Sequence, residues 1–265
     1  MGLNFWGPPR RSVVKVRGEQ IAERMGATLN PGTVNPDDVH VFITYLPRFP
    51  LPPKTVFDPN DHKNQWVFIA EHPEIPLIAI SRAEEELFRS MWPNRIVFIP
   101  DHHANYECEQ RPDRPVRAVG TVGSRASLWL DLDDLAARLT AIDITLLRRD
   151  LGRHRSQVLD AYRRMDIQIV FRANLPDRSI CDALKLSNAS SFGIPTVAFP
   201  ELAYATEYHG CFLPANTVDE LVAGVDRLAK DPRLYRYYAT RARERSEDYH
   251  IDNICDRYRA LETLF

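Results

Sequence analysis

Cysteine is scarce: four residues, at 108, 181, 211 and 255, serve a chain of 265. They are too few and too scattered for a disulfide framework or a CxxC metal knuckle, so they read as reduced packing residues. No run of about 18 apolar residues occurs, which argues against a membrane-spanning helix. The opening MGLNFWGPPRR lacks the apolar core of a secretory leader, and a cytoplasmic address is the expectation. Charge of one sign is missing too. With 34 Lys and Arg against 36 Asp and Glu, the formal net charge of −2 gives no global pull toward a nucleic-acid backbone or anionic lipid, so any such role must be local. Repeats and low-complexity tracts are absent.

What is present is an ordinary globular composition, 44% hydrophobic and 26% charged. The length suits two small lobes of about 110 to 150 residues each. After a Pro-rich, basic opening, RGEQIAERMGA has the spacing of a short amphipathic helix. The runs VHVFITYL (39–46), WVFIA (66–70), PLIAI (76–80) and RIVFI (95–99) are continuous rather than alternating, the pattern of strands covered on both faces of a parallel sheet. RAEEELFRSM supplies a helix between the last two. CEQRPDRPV (108–116) places two prolines among charges and predicts a linker, with lobes 1–113 and 114–265.

Beyond it RAV, DITLL, DIQIVF, IPTVAF and CFL alternate with the helical stretches DLDDLAARLTA, RSQVLDAYRRM and 183–192, which implies βαβ units. Thr217 and Glu220 form a capping box before LVAGVDRLAKD. Asp231 and Pro232 restart a helix through Ser246, and IDNICDRYRALETLF ends the chain as a helix expected to pack back on the first lobe.

Ligands of doubly wound sheets sit at the carboxyl ends of strands, so residues that follow strand-like runs are the informative ones. Gly120 and Gly123 follow RAV, where small residues let backbone amides approach a phosphate. His72 follows WVFIA; Asp101, His102 and His103 follow RIVFI, with Glu107 close by. His–His with a nearby Asp has ligand types without a secure ligand geometry, so no metal site is expected. Arg148, Arg149, Arg153, His154 and Arg155 form a basic run after DITLL that reads mainly as a solvated face, or else as a contact to phosphate or nucleic acid.

The stretch KLSNASSFGIPTVAFPELAYATEYHG (185–210), and the tail VDELVAGVDRLAKDPRLYRYYATRARERSEDYHIDNICDRYRALE, resemble the donor-binding half of GT-B glycosyltransferases. In that family a "K…EA…A-x-G-x-P-V-V-A" pattern precedes a "P-E" loop and an "E…G". The resemblance runs from about Ala118 to the end. It implies an α/β protein of two Rossmann-like domains facing each other across a cleft, with a compact N-terminal domain for the acceptor. The donor would be a nucleoside diphosphate sugar, with UDP the expected nucleotide, and neither cofactor nor metal would be required.

Lys185 takes the place of the basic residue that neutralises the donor diphosphate, and Asn188 stands where family members often carry a glutamate for the ribose. Arg172, Ser187, Glu201 and Glu207 join the donor set, with the turn at Gly120, Gly123 and Ser124. The resemblance implies catalytic groups among His72, His103 and Asp101, and acceptor contacts from Arg17, Gly18 and His102. The acceptor would be a hydroxyl on a glycan, a lipid-linked sugar, a small molecule or a modified DNA base. Two alternatives stand beside transfer to an ordinary acceptor: a DNA-base-modifying transferase of the same fold, and a nucleotide-binding or scaffold protein that has lost catalysis.

Overall fold

The computed structural model describes residues 2–47, 49–60, 65–123, 130–149, 154–172 and 182–265, with the side chains of 148 and 149 outside the description. The chain divides into two compact units, Met1–His102 with Ile251–Phe265, and His103–His250.

The first unit is built on a parallel sheet of β1 (Leu3–Trp6), β2 (Thr28–Leu29), β3 (Val39–Ile43), β4 (Thr55–Asp58), β5 (Leu77–Ala79) and β6 (Ile96–Phe98). Its order is β2-β1-β3-β4-β5-β6, with Asn4 opposite His40, Val41 opposite Val56 and Leu77 opposite Ile96. β1, the two-residue β2 and β4 have no counterpart in the sequence expectations. β1 lies in the Gly- and Pro-flanked opening, and β4 stands between Pro53 and Pro59, so turn signals mask two strands whose residues are all buried.

WVFIA is a correction of type. It forms α3 (Trp66–Glu71), in which Ile69 alone is fully buried and Val67 is 69% exposed. A run of five apolar residues carries no periodicity that separates a strand from a single helical turn. RAEEELFRSM forms α4 (Arg82–Met91), capped by Ser81, whose hydroxyl accepts from Glu84 N at 3.0 Å. Trp6, Phe42, Phe57, Ile69, Leu77 and Phe88 pack together between this layer and the sheet.

The helix expected at RGEQIAERMGA starts earlier, as α1 (Ser12–Val14), a π-helical turn (Lys15–Gln20) and α2 (Ile21–Met25). Gly26, at φ 69°, closes it in the left-handed conformation. Residues Ile251–Phe265 belong to this unit: Tyr258, on α11 (Ile251–Arg259), meets Phe5 edge-on at 5.2 Å, and Arg24 grips Asp252 through two hydrogen bonds.

The second sheet holds β7 (Ala118–Val122), β8 (Thr145–Arg149), β9 (Ile167–Val170), β10 (Thr196–Ala198) and β11 (Leu213–Pro214) in the order β11-β10-β9-β7-β8, all parallel. Each of the five strand-like runs read in this half yields one of these strands. Neighbouring residues of β9 point to opposite layers. Ile169 packs with Leu135 and Leu139 of α5 (Leu132–Thr140) and with Leu221, Val225 and Leu228 of α9 (Val218–Lys230), whereas Val170 packs with Tyr204 of α8 (Leu202–Glu207) and Ala242 of α10 (Pro232–Ser246). α6 (Arg155–Arg164) and α7 (Leu184–Ser191) close the second face through Leu159, Tyr162, Ala189 and Phe192. Thr217 caps α9 by accepting from Glu220 N, while the Glu220 carboxylate reaches Asn216 N rather than the cap residue itself.

The boundary expected near Arg114 falls instead between His102 and His103. The cause is a dense set of bonds from the supposed linker into the second unit. Asn105 Nδ2 donates to Ser191 O at 3.0 Å, Arg111 N to Phe192 O at 2.9 Å, and the Arg111 and Arg114 guanidiniums to Asp166 Oδ1. Of the cysteines, Cys211 and Cys255 are buried thiols, but Cys108 is exposed and so is no packing residue. Cys181 lies outside the described residues.

Candidate functional site

In an open parallel sheet the crevice for a ligand lies at the carboxyl ends of the strands, where the strand order reverses. The order β8-β7-β9 sets that point between β7 and β9. β7 runs out into Gly123, whose φ of 146° favours glycine. β9 runs out through Phe171 into Arg172, which is 7% exposed. Glu201, just past β10, is buried and faces it. Arg172 Nε donates to Glu201 Oε1 at 2.6 Å, and Nη2 donates to Oε2 and to the Tyr204 hydroxyl, the latter at 2.7 Å. Burial works against the Arg172 charge, but Tyr204 and Glu201 outweigh it and raise the pKa of the guanidinium. The remaining nitrogen, Nη1, has no hydrogen-bond partner among the described residues.

Lys185 sits in the first turn of α7, half-buried, and together with Asp182 it acts electrostatically on the Glu201 carboxylate. Asp182 Oδ1 accepts from Leu184 N at 2.7 Å and so closes that helix end. The carboxyl edge of the second sheet therefore gathers Gly123, Arg172, Lys185 and Glu201, four of the residues expected in the donor set. Arg172 and Lys185 are suited to hold an anion there.

Other expectations are corrected by what the side chains touch. Gly120 lies inside β7, where an added Cβ would come within 2.8 Å of Met165 Cε; it is a packing glycine and not part of a phosphate turn. Ser187 is fully buried and donates to Leu184 O, one turn back in its own helix. Glu207 is buried at the end of α8, where Oε2 accepts from the Tyr249 hydroxyl at 2.5 Å. Asn188 Oδ1 accepts from Ala104 N at 2.7 Å, so the oxygen expected at a ribose is occupied by backbone. Glu201 spends both oxygens on Arg172 rather than standing open to a sugar hydroxyl. In the basic run, His154 is exposed and Arg155 is bound to Ala104 O, to Glu107 and over the Tyr106 ring at 3.8 Å. Ser124, Arg153 and the side chains of Arg148 and Arg149 lie outside the described residues.

In the first unit, His72 is removed from any strand's carboxyl end. It caps α3, pairs with Glu74, and its carbonyl accepts from Asn94, two residues before β6, which puts it at the amino edge of the sheet. Arg17 is 1% exposed and inaccessible to an acceptor: Nε donates to Asp58 Oδ2 at 2.5 Å, Nη1 to Asp101 Oδ1 at 2.7 Å and Nη2 to Ile99 O at 2.9 Å. Burial opposes its charge, and Asp58 and Asp101 outweigh that penalty to keep it ionised. Asp101 is thereby the counter-ion of a buried arginine and not an open base. Gly18 packs against Leu29 and Ile43, each 3.2 Å from where a Cβ would stand. The ring of His102 donates from Nε2 to Val16 O at 3.0 Å, and His103, in the second unit, is enclosed beside His250.

Sequence reading missed Asp58, Tyr204 and Thr44. Thr44 follows β3 at the reversal point of the first sheet with φ 49°, a strained conformation for a β-branched residue, and its hydroxyl accepts from Arg11 Nη1 at 3.4 Å. No local pattern announces it. Among the described residues no group of three or more His, Cys, Asp or Glu is arranged to hold a metal ion. No described helix is long and apolar enough to cross a membrane.

Two parallel sheets, each with an order reversal, give the α/β fold of GT-B glycosyltransferases. No family model matches the chain. An uncharacterized glycosyltransferase of Haemophilus influenzae is 32% identical over 92 residues, covering 33% of this chain and 26% of that protein. A mutant of S. aureus TarM, solved in complex with fondaparinux, alpha-GlcNAc-glycerol and UDP, superposes with a TM-score of 0.63 at 11% identity, over 86% of this chain and 56% of that one. A glycosyltransferase from Rickettsia africae gives a TM-score of 0.64 at 11% identity, over 99% and 97% of the two chains. At such identities the solved structures establish the fold. The chain spans about a quarter of the curated relative and just over half of TarM.

Proposed function

We propose that this chain is a glycosyltransferase that moves a sugar from a nucleoside diphosphate donor to a hydroxyl acceptor. The observation that carries the reading is the meeting of Arg172 and Lys185 with Glu201 at the carboxyl edge of the second sheet, past β9 and β10. A departing nucleoside diphosphate gains negative charge as the glycosidic bond breaks, and fixed cations stabilise that charge. The curated relative's name and TarM's complex with UDP support the same direction, and make UDP the first nucleotide to try. We read the diphosphate charge as met by these side chains without a resident metal, so chelation by EDTA is expected to leave turnover unchanged. Free thiols at Cys211 and Cys255 suit a cytoplasmic setting. The acceptor is proposed only as a hydroxyl of a glycan, a lipid-linked sugar or a small molecule.

The test is a thermal-shift screen of UDP, GDP, ADP and dTDP sugars against the wild type and Lys185→Ala. A donor at 100 times its dissociation constant stabilises by about 2.7 kcal/mol. The wild type should respond, the variant should respond far less, and a transfer assay should separate an enzyme from a protein that merely binds nucleotide. An equal response in Lys185→Ala would sink the site assignment.

A further inference from the structure

The Arg172 guanidinium has a divided set of donors. One edge, Nε and Nη2, is fixed by a two-point hold from Glu201 and a third bond from Tyr204, while the Nη1 amine stays unassigned among the described residues. All three side chains are buried. A buried arginine needs a countercharge, and one carboxylate bound through a single hydrogen bond would supply it. The additional tyrosine and the fork geometry instead fix the direction of the plane, and they do so at the strand ends where a ligand is expected. Accepting from Arg172 Nε and Nη2 commits both Glu201 oxygens, so neither stands open to a ribose or sugar hydroxyl.

We propose that Glu201 and Tyr204 are positioning residues that aim the Nη1 amine of Arg172 at a phosphate of the nucleotide, so that Arg172 acts as a second, directional anion contact beside Lys185. The proposal rests on the transferase reading and deepens it. It reassigns Glu201 from contacting the donor to acting through Arg172, and it gives the Arg172–Lys185 pair the two adjacent charges of a diphosphate as its ligand.

The test is a double-mutant cycle read by calorimetric titration of UDP, or of whichever of GDP, ADP and dTDP binds the wild type most tightly. Arg172→Ala should weaken binding about 10- to 100-fold, the range of one charge-assisted contact. Glu201→Gln should lose a comparable factor, and Tyr204→Phe a smaller one. Arg172→Ala combined with Glu201→Gln should bind no worse than Arg172→Ala alone, because Glu201 then has nothing left to position.

Additive losses would mean that Glu201 meets the ligand itself, and would overturn the proposal. Should Glu201→Gln fail to fold, the Tyr204→Phe cycle with Arg172→Ala carries the same logic, since phenylalanine keeps the buried ring. Lys185→Ala in the same titration separates the two levels of argument. If it weakens binding while the cycle is additive, the positioning role alone fails. If neither Lys185→Ala nor Arg172→Ala alters nucleotide affinity, or the wild type binds none of the four nucleotides, the site reading falls and the positioning role with it. A steady-state readout adds a further check: donor KM should rise in Glu201→Gln with kcat changed less, and a fall confined to kcat would contradict a role in holding the donor.

Discussion

Asn188 accepts a hydrogen bond from the backbone amide of Ala104 at 2.7 Å, although sequence resemblance assigns its position to the donor ribose. Asn188 is 6% exposed and the Ala104 amide it serves is half-buried, so removing the acceptor leaves that amide partly unsatisfied, at a cost of about 1 kcal/mol. Asn188→Ala is therefore expected to lower the unfolding temperature by several degrees and to leave nucleotide affinity within about twofold of the wild type. Calorimetric unfolding and a UDP titration check the two halves of this prediction. A large loss of affinity at unchanged stability would return Asn188 to the ligand.

The same residue shows where the sequence was legible and where it was not. The strands of the second sheet were readable because each grows from a short apolar run bounded by turn residues, and the central β9 and β10 are buried throughout. Arg172 was readable because it follows such a run, and Lys185 through the resemblance of the 185–210 stretch. Asn188, Ser187 and Glu207 carry the right chemistry at plausible spacing, yet their orientation depends on what packs against them. Ala104 is 84 positions from Asn188, and Tyr249 is 42 from Glu207. No local pattern encodes such partners. β4 was lost for the opposite reason, since the flanking prolines gave a strong local signal for a turn and the long-range pairing with β3 prevailed.

Asp166 offers a test by pH. It is 1% exposed, with Oδ2 accepting from Arg117 N and Ala118 N and Oδ1 from Arg111 and Arg114. Burial opposes its ionisation, but these amides and guanidiniums outweigh it and hold the carboxyl below the usual range. A depressed native pKa means the unfolded chain binds the proton more readily, so the stabilisation is fully present above the unfolded value near 4 and is lost as pH falls through the native one. Asp166→Asn should cost about 3 kcal/mol at pH 7, with the difference from wild type flat between pH 5 and 8 and shrinking below pH 4. Denaturant titrations across that range measure it. A difference that grew in acid would refute the assignment.

Gly120, inside β7, and Gly123, at its end, should separate by phenotype. At Gly120 a methyl group meets Met165 at 2.8 Å, so Gly120→Ala is expected to overpack the layer and cost about 1–3 kcal/mol, with nucleotide affinity retained in the folded fraction. Gly123 lies at the strand end with φ 146°, where an alanine strains the backbone beside Arg172. Gly123→Ala should therefore weaken nucleotide binding more than it lowers the unfolding temperature. Both measurements on both variants are needed, and identical profiles would remove the distinction between a packing glycine and a site glycine.

The buried cluster of the first unit makes a paired prediction of opposite signs. Arg17→Met leaves Asp58 and Asp101 facing each other's field without their shared cation, and breaking such a buried pair costs about 3–5 kcal/mol. The loss should be largely recovered by adding Asp58→Asn and Asp101→Asn, since the carboxylates rather than the missing contact carry most of it. Tyr258 stands close to Arg17, with the guanidinium carbon 6.0 Å from its ring centre, and its buried hydroxyl has no hydrogen-bond partner among the described residues. Deleting an unsatisfied buried hydroxyl while keeping the ring against Phe5 relieves a desolvation penalty, so Tyr258→Phe should be neutral or stabilise by up to about 1 kcal/mol. Thermal unfolding of the two variants decides it: a strong loss in Tyr258→Phe would mean that its hydroxyl is a working member of the Arg17 network.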